Sequence, residues 1–558
     1  MPTFSIEPGP LAAAFGDACG RLDRLGFADA LWNSRPEGWT KDPAVQPLIA
    51  NRLGWVRVLD VTAPEIGRLR AFARDVQAAG FTDVLLLGMG GSSLAPEVMS
   101  RVLDVAPGSP RFRMLDSVDP DAVRAAMDDT SHTLFVIASK SGSTIEPTVL
   151  MAEARRRTHA ADPARWGANA VAITDPETRL HSQAREQAFR EVFLNPADIG
   201  GRYSALSLFG FVPLALMGAD LDALLAGARA METACRASGA AGNPGLALGA
   251  FMAAGAEHGR DKLTLLLPPR LASLGLWVEQ LVAESTGKHG AGVIPIAGEA
   301  ADAPFGTDRI FVAITLGEDA PDAAEIDRAR ASGAPFATWR MESSTALAAE
   351  FYRWEVATAA TGALLGINPF DEPNVSQAKE ATSALLDLFR AQGRLPSVDV
   401  NGLIDGVRLT LSHTAAQSPD VDPIKAALAR PRPPDYVAVL AYLPPDAEPF
   451  ESALQEIRRA IAAQTGCASM CAYGPRYLHS TGQLHKGGPN SGVFLIVTAD
   501  GAQDLPIPDE PFSFGVLETA QALGDFQSLD RTGRRALHLH LPRRDPDLLR
   551  RVVATLLS

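Results

Sequence analysis

The sequence has few cysteines, few aromatic residues and no long apolar run. Four cysteines among 558 residues are too few for a disulfide framework, which indicates a reducing compartment. No apolar run reaches the roughly 18 residues that a membrane helix needs, so we expect no membrane span. The first residues also lack the basic and then apolar segments of a secretory signal. We therefore expect a cytoplasmic protein.

Positive charge is scarce as well. The chain carries 51 Lys and Arg against 65 Asp and Glu, a formal net charge of −14. A surface of that sign does not attract nucleic acid or anionic lipid, so we expect neither as a partner. Apolar residues make up 46% of the chain and charged residues 21%, which excludes a disordered chain and allows large buried cores. The length corresponds to about three or four domains.

Short apolar runs alternate with helix-like segments along most of the chain. This alternation is typical of parallel sheets covered by helices on both faces, so we predict an α/β fold with two doubly wound parallel-sheet domains and a smaller C-terminal α/β domain. The runs that predict strands are 83–87, 133–138, 170–174, 262–267, 292–296, 309–314, 436–443, 492–498 and 536–541. The predicted units are a helical segment at 1–60, α/β domains at 61–238 and 239–418, and the C-terminal domain at 435–558.

A glycine-rich loop, Gly88-Met89-Gly90-Gly91-Ser92, follows the first predicted strand. Glycines let the backbone approach an anion closely, and the helix that follows offers unpaired N–H groups. A dinucleotide-binding fingerprint needs a third glycine where Ser93 stands, and no Gly-Lys-Ser/Thr follows as in a P-loop. The loop is either an anion site or only a tight turn between a strand and a helix.

A second polar loop, Ser139-Lys140-Ser141-Gly142-Ser143-Thr144, follows the second predicted strand. It places four hydroxyl groups and one lysine at the carboxyl end of a strand, which is the edge where open α/β sheets bind ligands. Hydroxyls and backbone amides suit the oxygens of a phosphomonoester. The alternative is a serine-rich helix cap. Two such loops after neighbouring strands favour a phosphate site.

The two loops belong to a set of five separated motifs along the chain. They are Gly88-Met89-Gly90-Gly91-Ser92, Ser139–Thr144, Gly200-Gly201-Arg202-Tyr203-Ser204, Glu284-Ser285-Thr286-Gly287-Lys288, and Phe370-Asp371-Glu372-Pro373-Asn374-Val375 followed by Lys379. With them the chain resembles the glucose-6-phosphate isomerase family over roughly residues 50–390. Residues after about 430 resemble the isomerase half of bacterial transaldolase–isomerase fusions. The resemblance implies two sugar-isomerase domains, a homodimer and no cofactor or metal.

The resemblance also implies an activity and a set of site residues. The activity is the reversible conversion of glucose 6-phosphate into fructose 6-phosphate through an enediol. Glu284 would be the base that moves the proton, with Gln280 one helical turn away, Arg202 would stabilise the enediolate, and Lys379 would bind the substrate at its ring oxygen. The substrate would be bound by Gly91, Ser92, Ser139, Lys140, Ser141, Gly142, Ser143, Thr144 and Gln280. Without the motifs, we would interpret Glu284, Arg202 and Lys379 as charged residues on the protein surface.

The family opens the sugar ring with a histidine that, in simpler bacterial members, closely follows the glutamate. No such motif follows Glu284 here, but Leu478-His479-Ser480-Thr481-Gly482-Gln483 stands near the C-terminus. We infer that this segment has moved in sequence and kept its place in space, so that His479 is the acid and base of ring opening. Imidazole suits that work because it gains and loses protons near neutral pH. His485, His289 and a histidine-free route through water are the alternatives, and a neighbouring subunit is a further way to supply His479.

Other features depart from the family pattern or allow a different function. Glu372 stands where the family has Gln, which places a carboxylate near the expected phosphate, and Ser376 stands where the family has Glu. Cys467 and Cys471 with downstream histidines allow a zinc site, although the proposed route needs no metal. The competing functions are a non-catalytic sugar-phosphate-binding regulatory module and a nucleotide-dependent oxidoreductase.

Overall fold

The computed structural model describes residues 4–161, 165–417, 419 and 422–558. Its strands are β1 (Ser5–Glu7), β2 (Asp83–Gly88), β3 (Arg111–Leu115), β4 (Thr133–Ala138), β5 (Ala170–Thr174), β6 (Glu191–Leu194), β7 (Lys262–Leu266), β8 (Ile294–Ile296), β9 (Arg309–Leu316), β10 (Phe336–Met341), β11 (Gly402–Ile404), β12 (Val407–Leu411), β13 (Tyr436–Tyr442), β14 (Ala468–Tyr473), β15 (Gly492–Ala499) and β16 (Arg535–Leu541).

Its helices are α1 (Ala12–Leu25), α2 (Phe27–Trp32), α3 (Gln46–Ala50), α4 (Val58–Thr62), α5 (Ile66–Ala78), α6 (Leu94–Val102), α7 (Pro120–Ala126), α8 (Ile145–Ala161), α9 (Arg179–Glu186), α10 (Leu208–Leu216), α11 (Leu221–Cys235), α12 (Pro244–Glu257), α13 (Leu274–Thr286), α14 (Ala323–Ala331), α15 (Leu347–Leu364), α16 (Val375–Gln392), α17 (His413–Ala416), α18 (Pro423–Ala429), α19 (Phe450–Thr465), α20 (Gly482–Gly487), α21 (Phe514–Arg531) and α22 (Pro546–Leu557). In the ranges described, none of them is both long and apolar enough to cross a membrane.

The first sheet is parallel throughout and has the order β3-β2-β4-β5-β6. In this sheet β3 lies on one side of β2, and the next strand along the chain, β4, lies on the other side of β2. The strand order therefore reverses between β2 and β4. A crevice forms at such a reversal, outside the carboxyl ends of the strands. Gly88 pairs with Ala138 at that edge, which brings the glycine-rich loop beside the serine-rich loop.

The second sheet has the order β1-β10-β9-β7-β8, and β1 is its one antiparallel strand among the described residues. The sequence predicts only helical structure for residues 1–60, of which 1–3 lie outside the described residues. This prediction misses β1, because three residues are too short to show an alternating pattern; Ser5 pairs with Thr338. Helix α13, which follows β7, carries Gln280 and Glu284.

The third sheet belongs to the C-terminal domain and has the order β11-β12-β16-β15-β13-β14. Strands β13 to β16 are parallel, and the β11–β12 hairpin adds an antiparallel edge to β16. The sequence assigns residues 402–411 to the second α/β domain, but the structure pairs them with the third sheet. The predicted α/β class with parallel sheets is confirmed, and the central strands are almost fully buried, as their apolar runs require.

Candidate active site

A cleft of about 280 Å³ lies outside the carboxyl ends of β2 and β4, where α13, α16 and a segment of the C-terminal domain meet the first sheet. Most of the residues predicted for the site line this one cleft. They are Gly91, Ser92, Ser139, Lys140, Ser141, Thr144, Arg202, Gln280, Glu284, Lys379 and His479. Three domains of one chain therefore contribute to the same cavity.

The serine-rich loop forms a cluster of hydroxyl groups at the edge of the cleft. The Oγ1 atom of Thr144 lies 3.5 Å from the Oγ atom of Ser139 and 3.4 Å from that of Ser141. Helix α8 begins at the next residue, so its N-terminal amides and the positive end of its dipole face the same region. Hydroxyls and a helix N-terminus together form a site suited to a phosphate.

Of the predicted binding residues, Gly142 and Ser143 do not line this cleft, and Lys140 lines it with its ammonium bound by other residues. The Lys140 ammonium forms an ion pair with Asp175 and donates to the carbonyl oxygen of Ala197 at 3.0 Å. Gly142 adopts a positive φ of 64° in the turn of the loop. Ser143 lines a neighbouring cavity of about 290 Å³, which shares Lys379 and His479 with the cleft. The positive φ favours glycine at position 142, and the Lys140 side chain is held by its ion pair with Asp175.

The glycine-rich loop approaches two other segments so closely that side chains would not fit. A Cβ atom added at Gly91 would lie 2.0 Å from the carbonyl oxygen of Gly201. One added at Gly90, whose φ is 54°, would lie 2.6 Å from the carbonyl oxygen of His479. The glycines therefore allow the loop to contact both the arginine segment and the histidine segment.

Glu284 lies near the end of α13 with its carboxylate held from both sides. Its Oε1 atom is 3.1 Å from Nη1 of Arg202, and its Oε2 atom accepts a hydrogen bond from Nε2 of Gln280 at 3.2 Å. Burial raises the pKa of Glu284, the Arg202 charge opposes that rise, and the charge of Glu372 adds to it. A carboxylate with a raised pKa, facing a cleft, is suited to take up and return a proton.

Arg202 is held rigidly, because acceptors surround its whole guanidinium group. Its Nη1 atom contacts Glu284 and Glu372, each at 3.1 Å. The other contacts are Nε with Ser285 Oγ at 2.9 Å, and Nη2 with the carbonyl oxygens of Pro369 at 2.9 Å and Asp371 at 2.8 Å. The group is buried and carries its charge at any working pH. It supplies a fixed positive charge beside Glu284.

Glu372, the departure from the family pattern, turns toward this arginine. Burial acts to raise the pKa of Glu372, but the charge and hydrogen bond of Arg202 outweigh it and hold that pKa below its usual range. The expected repulsion between a carboxylate and a phosphate is therefore reduced, because a guanidinium neutralises this carboxylate. The side chain remains 45% exposed at the mouth of the cleft.

The separate motifs hold one another in place around the cleft. The Lys288 ammonium donates to Oδ1 of Asp371 at 2.7 Å, and burial together with the Arg202 charge lowers the pKa of this lysine to about 8. The side chain of Gln483 accepts from the amide of Asn374 at 2.8 Å and donates to the carbonyl oxygen of Gly287 at 3.0 Å. The histidine segment is thus anchored to both motifs of the second domain.

His479 enters the cleft from the C-terminal domain of the same chain. Its carbonyl oxygen accepts from Nε2 of Gln280 at 2.8 Å, and its ring Nε2 atom lies 3.0 Å from Oε1 of Glu146. Neither alternative histidine lines this cleft. His485 is buried between the rings of Tyr477 and Phe494, and burial lowers its pKa far below the usual range. His289 is exposed.

The sequence does not predict three residues that the structure places at the site. Glu146 lies in the first turn of α8, two residues after Thr144. Burial acts to raise its pKa, but the charge and hydrogen bond of His479, together with a backbone hydrogen bond and the Lys379 charge, outweigh burial and lower it. Gln521 of α21 donates to Glu146 at 2.6 Å. Arg52 lines the cleft. Only Glu146 stands beside a recognised motif, so no sequence signal points to Gln521 or Arg52.

The zinc alternative requires a cluster of ligands. Among the residues that the structure describes, no group of three or more His, Cys, Asp or Glu side chains is arranged to hold a metal ion. Cys467 and Cys471 are free thiols, whose pKa values burial raises to about 11 and about 12. Cys467 is buried in the core of the C-terminal domain, and Cys471 packs against the same core.

Two solved structures share the fold of this chain over about two thirds of its length. A hypothetical protein from Thermus thermophilus has a TM-score of 0.58 at 24% identity, covering 68% of this chain and 99% of that one. A glucose-6-phosphate isomerase from Chlamydia trachomatis D/UW-3/Cx has a TM-score of 0.56 at 19% identity, covering 68% and 86%. At these identities the likeness shows the fold.

Relatives with similar sequences show more than the fold. A glucose-6-phosphate isomerase of Parasynechococcus marenigrum (strain WH8102) is 32% identical over 425 residues, covering 67% of this chain and 74% of the relative. Another from Prochlorococcus marinus (strain MIT 9313) is 36% identical over 269 residues, covering 45% and 47%. The profile of the phosphoglucose isomerase family matches residues 67–307, which include the glycine-rich loop, the serine-rich loop, Arg202 and Glu284. The chain therefore belongs to the phosphoglucose isomerase family.

Proposed function

We propose that the chain catalyses the reversible isomerisation of glucose 6-phosphate and fructose 6-phosphate. The observation that carries this proposal is the position of Glu284, which faces an open cleft between Gln280 and Arg202. A protein that only binds a sugar phosphate has no need of a buried carboxylate with a raised pKa beside a fixed guanidinium. The arrangement therefore favours catalysis over a regulatory binding module.

The phosphate of the substrate binds at the serine-rich loop. Ser139, Ser141 and Thr144 supply the hydroxyl donors, Ser92 and the backbone of Gly91 add a second wall, and α8 directs its N-terminus at the anion. Lys379 and Arg52, which line the same cleft, provide positive charge near the bound substrate. The sugar then extends toward Glu284 and His479.

Ring opening is the work of His479. The carboxylate of Glu146 can only accept, so it fixes the imidazole with the proton on Nε2 and leaves Nδ1 to exchange a proton with the substrate. When the protonated ring gives this proton to the ring oxygen, the C1–O5 bond breaks, the O1 hydroxyl loses its proton to water, and the C1=O1 double bond of the aldehyde forms. Lys379 assists by stabilising negative charge as it develops on the oxygen.

Isomerisation follows in the open chain. Glu284 removes the proton from C2, the released electron pair forms the C1–C2 double bond, and the carbonyl oxygen O1 becomes negatively charged. Arg202 stabilises this enediolate because its charge is fixed in place before the reaction. A proton passes from O2 to O1, and Glu284 returns its proton to C1 to give the ketose. Every step uses side chains of this chain, so the proposal requires no cofactor.

The test is conversion of fructose 6-phosphate to glucose 6-phosphate by the purified protein and by Glu284→Gln. We expect activity in the wild type and a fall in kcat of about 100- to 10,000-fold in the variant, because the amide keeps the shape but takes up no proton. A Glu380→Gln variant, which alters an exposed carboxylate of α16, is the control and keeps full activity. A folded wild type that binds sugar phosphate without turning it over would refute the proposal and favour the regulatory module.

A further inference from the structure

Helix α21 of the C-terminal domain reaches the carboxylate that holds His479. Gln521 donates from Nε2 to Oε1 of Glu146 at 2.6 Å, and the same Oε1 atom lies 3.0 Å from Nε2 of His479. Gln521 and Glu146 are each 2% exposed. One carboxylate oxygen is thus shared between an amide and the imidazole of the ring-opening histidine.

The hydrogen bond between Gln521 and Glu146 has a defined donor and acceptor. A carboxylate accepts hydrogen bonds and does not donate them, so the amide of Gln521 has to present its NH₂ group to Glu146. Its own Oε1 atom is then buried with no hydrogen-bond partner among the described residues, as is Oε2 of Glu146. An apolar residue would avoid one buried, unpaired oxygen, so packing alone does not explain a glutamine at this position.

Helix α21 is also fixed against α16, which carries Lys379. A Cβ atom added at Gly524 would lie 2.8 Å from Oγ1 and 3.0 Å from the amide nitrogen of Thr382, so the two helices are in close contact there. Gln521 lies one turn before Gly524 on this rigid support. The amide therefore has little freedom to leave the carboxylate.

We propose that Gln521 is a positioning residue for ring opening: it holds the Glu146 carboxylate at the place from which that carboxylate orients His479. This inference rests on the proposed function and adds a role for the part of the C-terminal domain that lies beyond the histidine segment. Gln521 itself does not touch the reacting atoms. In the step that it supports, His479 gives a proton to O5, the C1–O5 bond breaks, the O1 proton passes to water, and the C1=O1 double bond forms.

The test compares Gln521→Leu with Ser528→Ala, a control on the same helix whose buried hydroxyl has no hydrogen-bond partner among the described residues. Without the amide, Glu146 and His479 lose their alignment and ring opening slows. We expect kcat/KM for cyclic glucose 6-phosphate to fall roughly 10- to 100-fold in Gln521→Leu and to stay at the wild-type value in Ser528→Ala. Circular dichroism of each variant confirms that it is folded.

A kinetic isotope effect separates positioning from general disruption. With glucose 6-phosphate deuterated at C2, proton transfer by Glu284 slows, and the wild type shows an isotope effect to the extent that this step limits the rate. If Gln521→Leu slows ring opening, that step masks proton transfer and the isotope effect falls toward 1. An unchanged or larger isotope effect in the slowed variant would overturn the proposal, as would an unchanged rate.

Gln521→Glu provides a second test, which can be made even if the Gln521→Leu variant does not fold. At low pH the new carboxyl group is protonated and donates to Glu146 as the amide does, so activity stays near that of the wild type. At higher pH two carboxylates face each other and repel, so activity falls with rising pH more steeply than in the wild type. A pH profile parallel to that of the wild type would contradict the proposal. An inactive wild type would instead refute the proposed function itself.

Discussion

Two carboxylates, Glu284 and Glu372, share one guanidinium group at the centre of the cleft. Each lies 3.1 Å from Nη1 of Arg202, but their surroundings differ. Glu284 is almost fully buried, whereas Glu372 lies half-exposed at the mouth. The pKa of Glu284 is therefore raised, chiefly by burial, and that of Glu372 is lowered. The two pKa values move apart, as they do where one carboxylate acts as a base and the other as a fixed charge.

Replacing Glu372 by glutamine tests this coupling. In the proposed mechanism the active form of Glu284 is the ionised carboxylate, and the negative charge of Glu372 is one of the causes that raise its pKa. In Glu372→Gln that cause is absent, so the pKa of Glu284 falls and the acidic limb of the kcat/KM profile moves to lower pH. Glu380→Gln, on the exposed side of α16, leaves the limb in place. A limb that stays fixed or moves to higher pH in Glu372→Gln would contradict the assignment of the limb to Glu284.

At the scale of single residues, the sequence predicts the site residues that belong to compact motifs. The hydroxyl loop, Arg202 and Glu284 are recognisable because neighbouring residues mark them. Gln521 and Arg52 are not, because their roles arise from contacts between remote segments; Gln521 lies 375 positions from Glu146. His479 is an intermediate case, since its motif is recognisable but its position opposite Glu146 is known only from the structure.

Strands were predictable where both faces are buried. β2, β4 and β13 are continuous apolar runs because helices cover both sides of the sheet. The strands missed include β3, β6 and β14, which lie at the edges of their sheets. β3 carries two arginines among five residues, and such charged edge strands do not show the apolar pattern of a central strand.

The close contact between α21 and α16 makes a prediction about stability. In Gly524→Ala the added methyl group meets Thr382 at 2.8–3.0 Å, so one helix has to shift. Overpacking of this kind costs about 1–3 kcal/mol, which exceeds the gain of about 0.5–1 kcal/mol that alanine brings to a helix interior. We expect a lower free energy of unfolding in urea, together with reduced isomerase activity because α16 carries Lys379.

Gly16→Ala is the matched control for this prediction. Gly16 also lies inside a helix, α1, but a Cβ atom there meets nothing within 4 Å among the described residues. Only the gain in helix stability remains, so the free energy of unfolding rises by about 0.5–1 kcal/mol. If both variants lost stability equally, the close contact at Thr382 would not be the cause.

On the scale of the whole molecule, the C-terminal domain completes a site that the two sugar-isomerase domains leave open. It supplies His479 to the cleft and Gln521 to Glu146, and Gln483 ties its histidine segment to Gly287 and Asn374. The sequence predicts that His479 reaches the cleft but leaves open which subunit provides it. In the structure a single chain holds Glu284 and His479 around the same cavity, and a homodimer remains a prediction from the family resemblance.

Mixing two inactive variants distinguishes a site within one chain from a site shared between subunits. We expect Glu284→Gln and His479→Asn chains, co-expressed and purified through different tags, to show no more activity together than separately, because every cleft lacks one of the two groups. If the histidine came from a partner subunit, a mixed dimer would contain one cleft with both groups intact, and activity would return. Wild type co-expressed with Glu284→Gln is the control, and its activity follows the fraction of wild-type chains. Recovered activity in the first mixture would show that the histidine acts across subunits and that the arrangement within one chain is not the catalytic one.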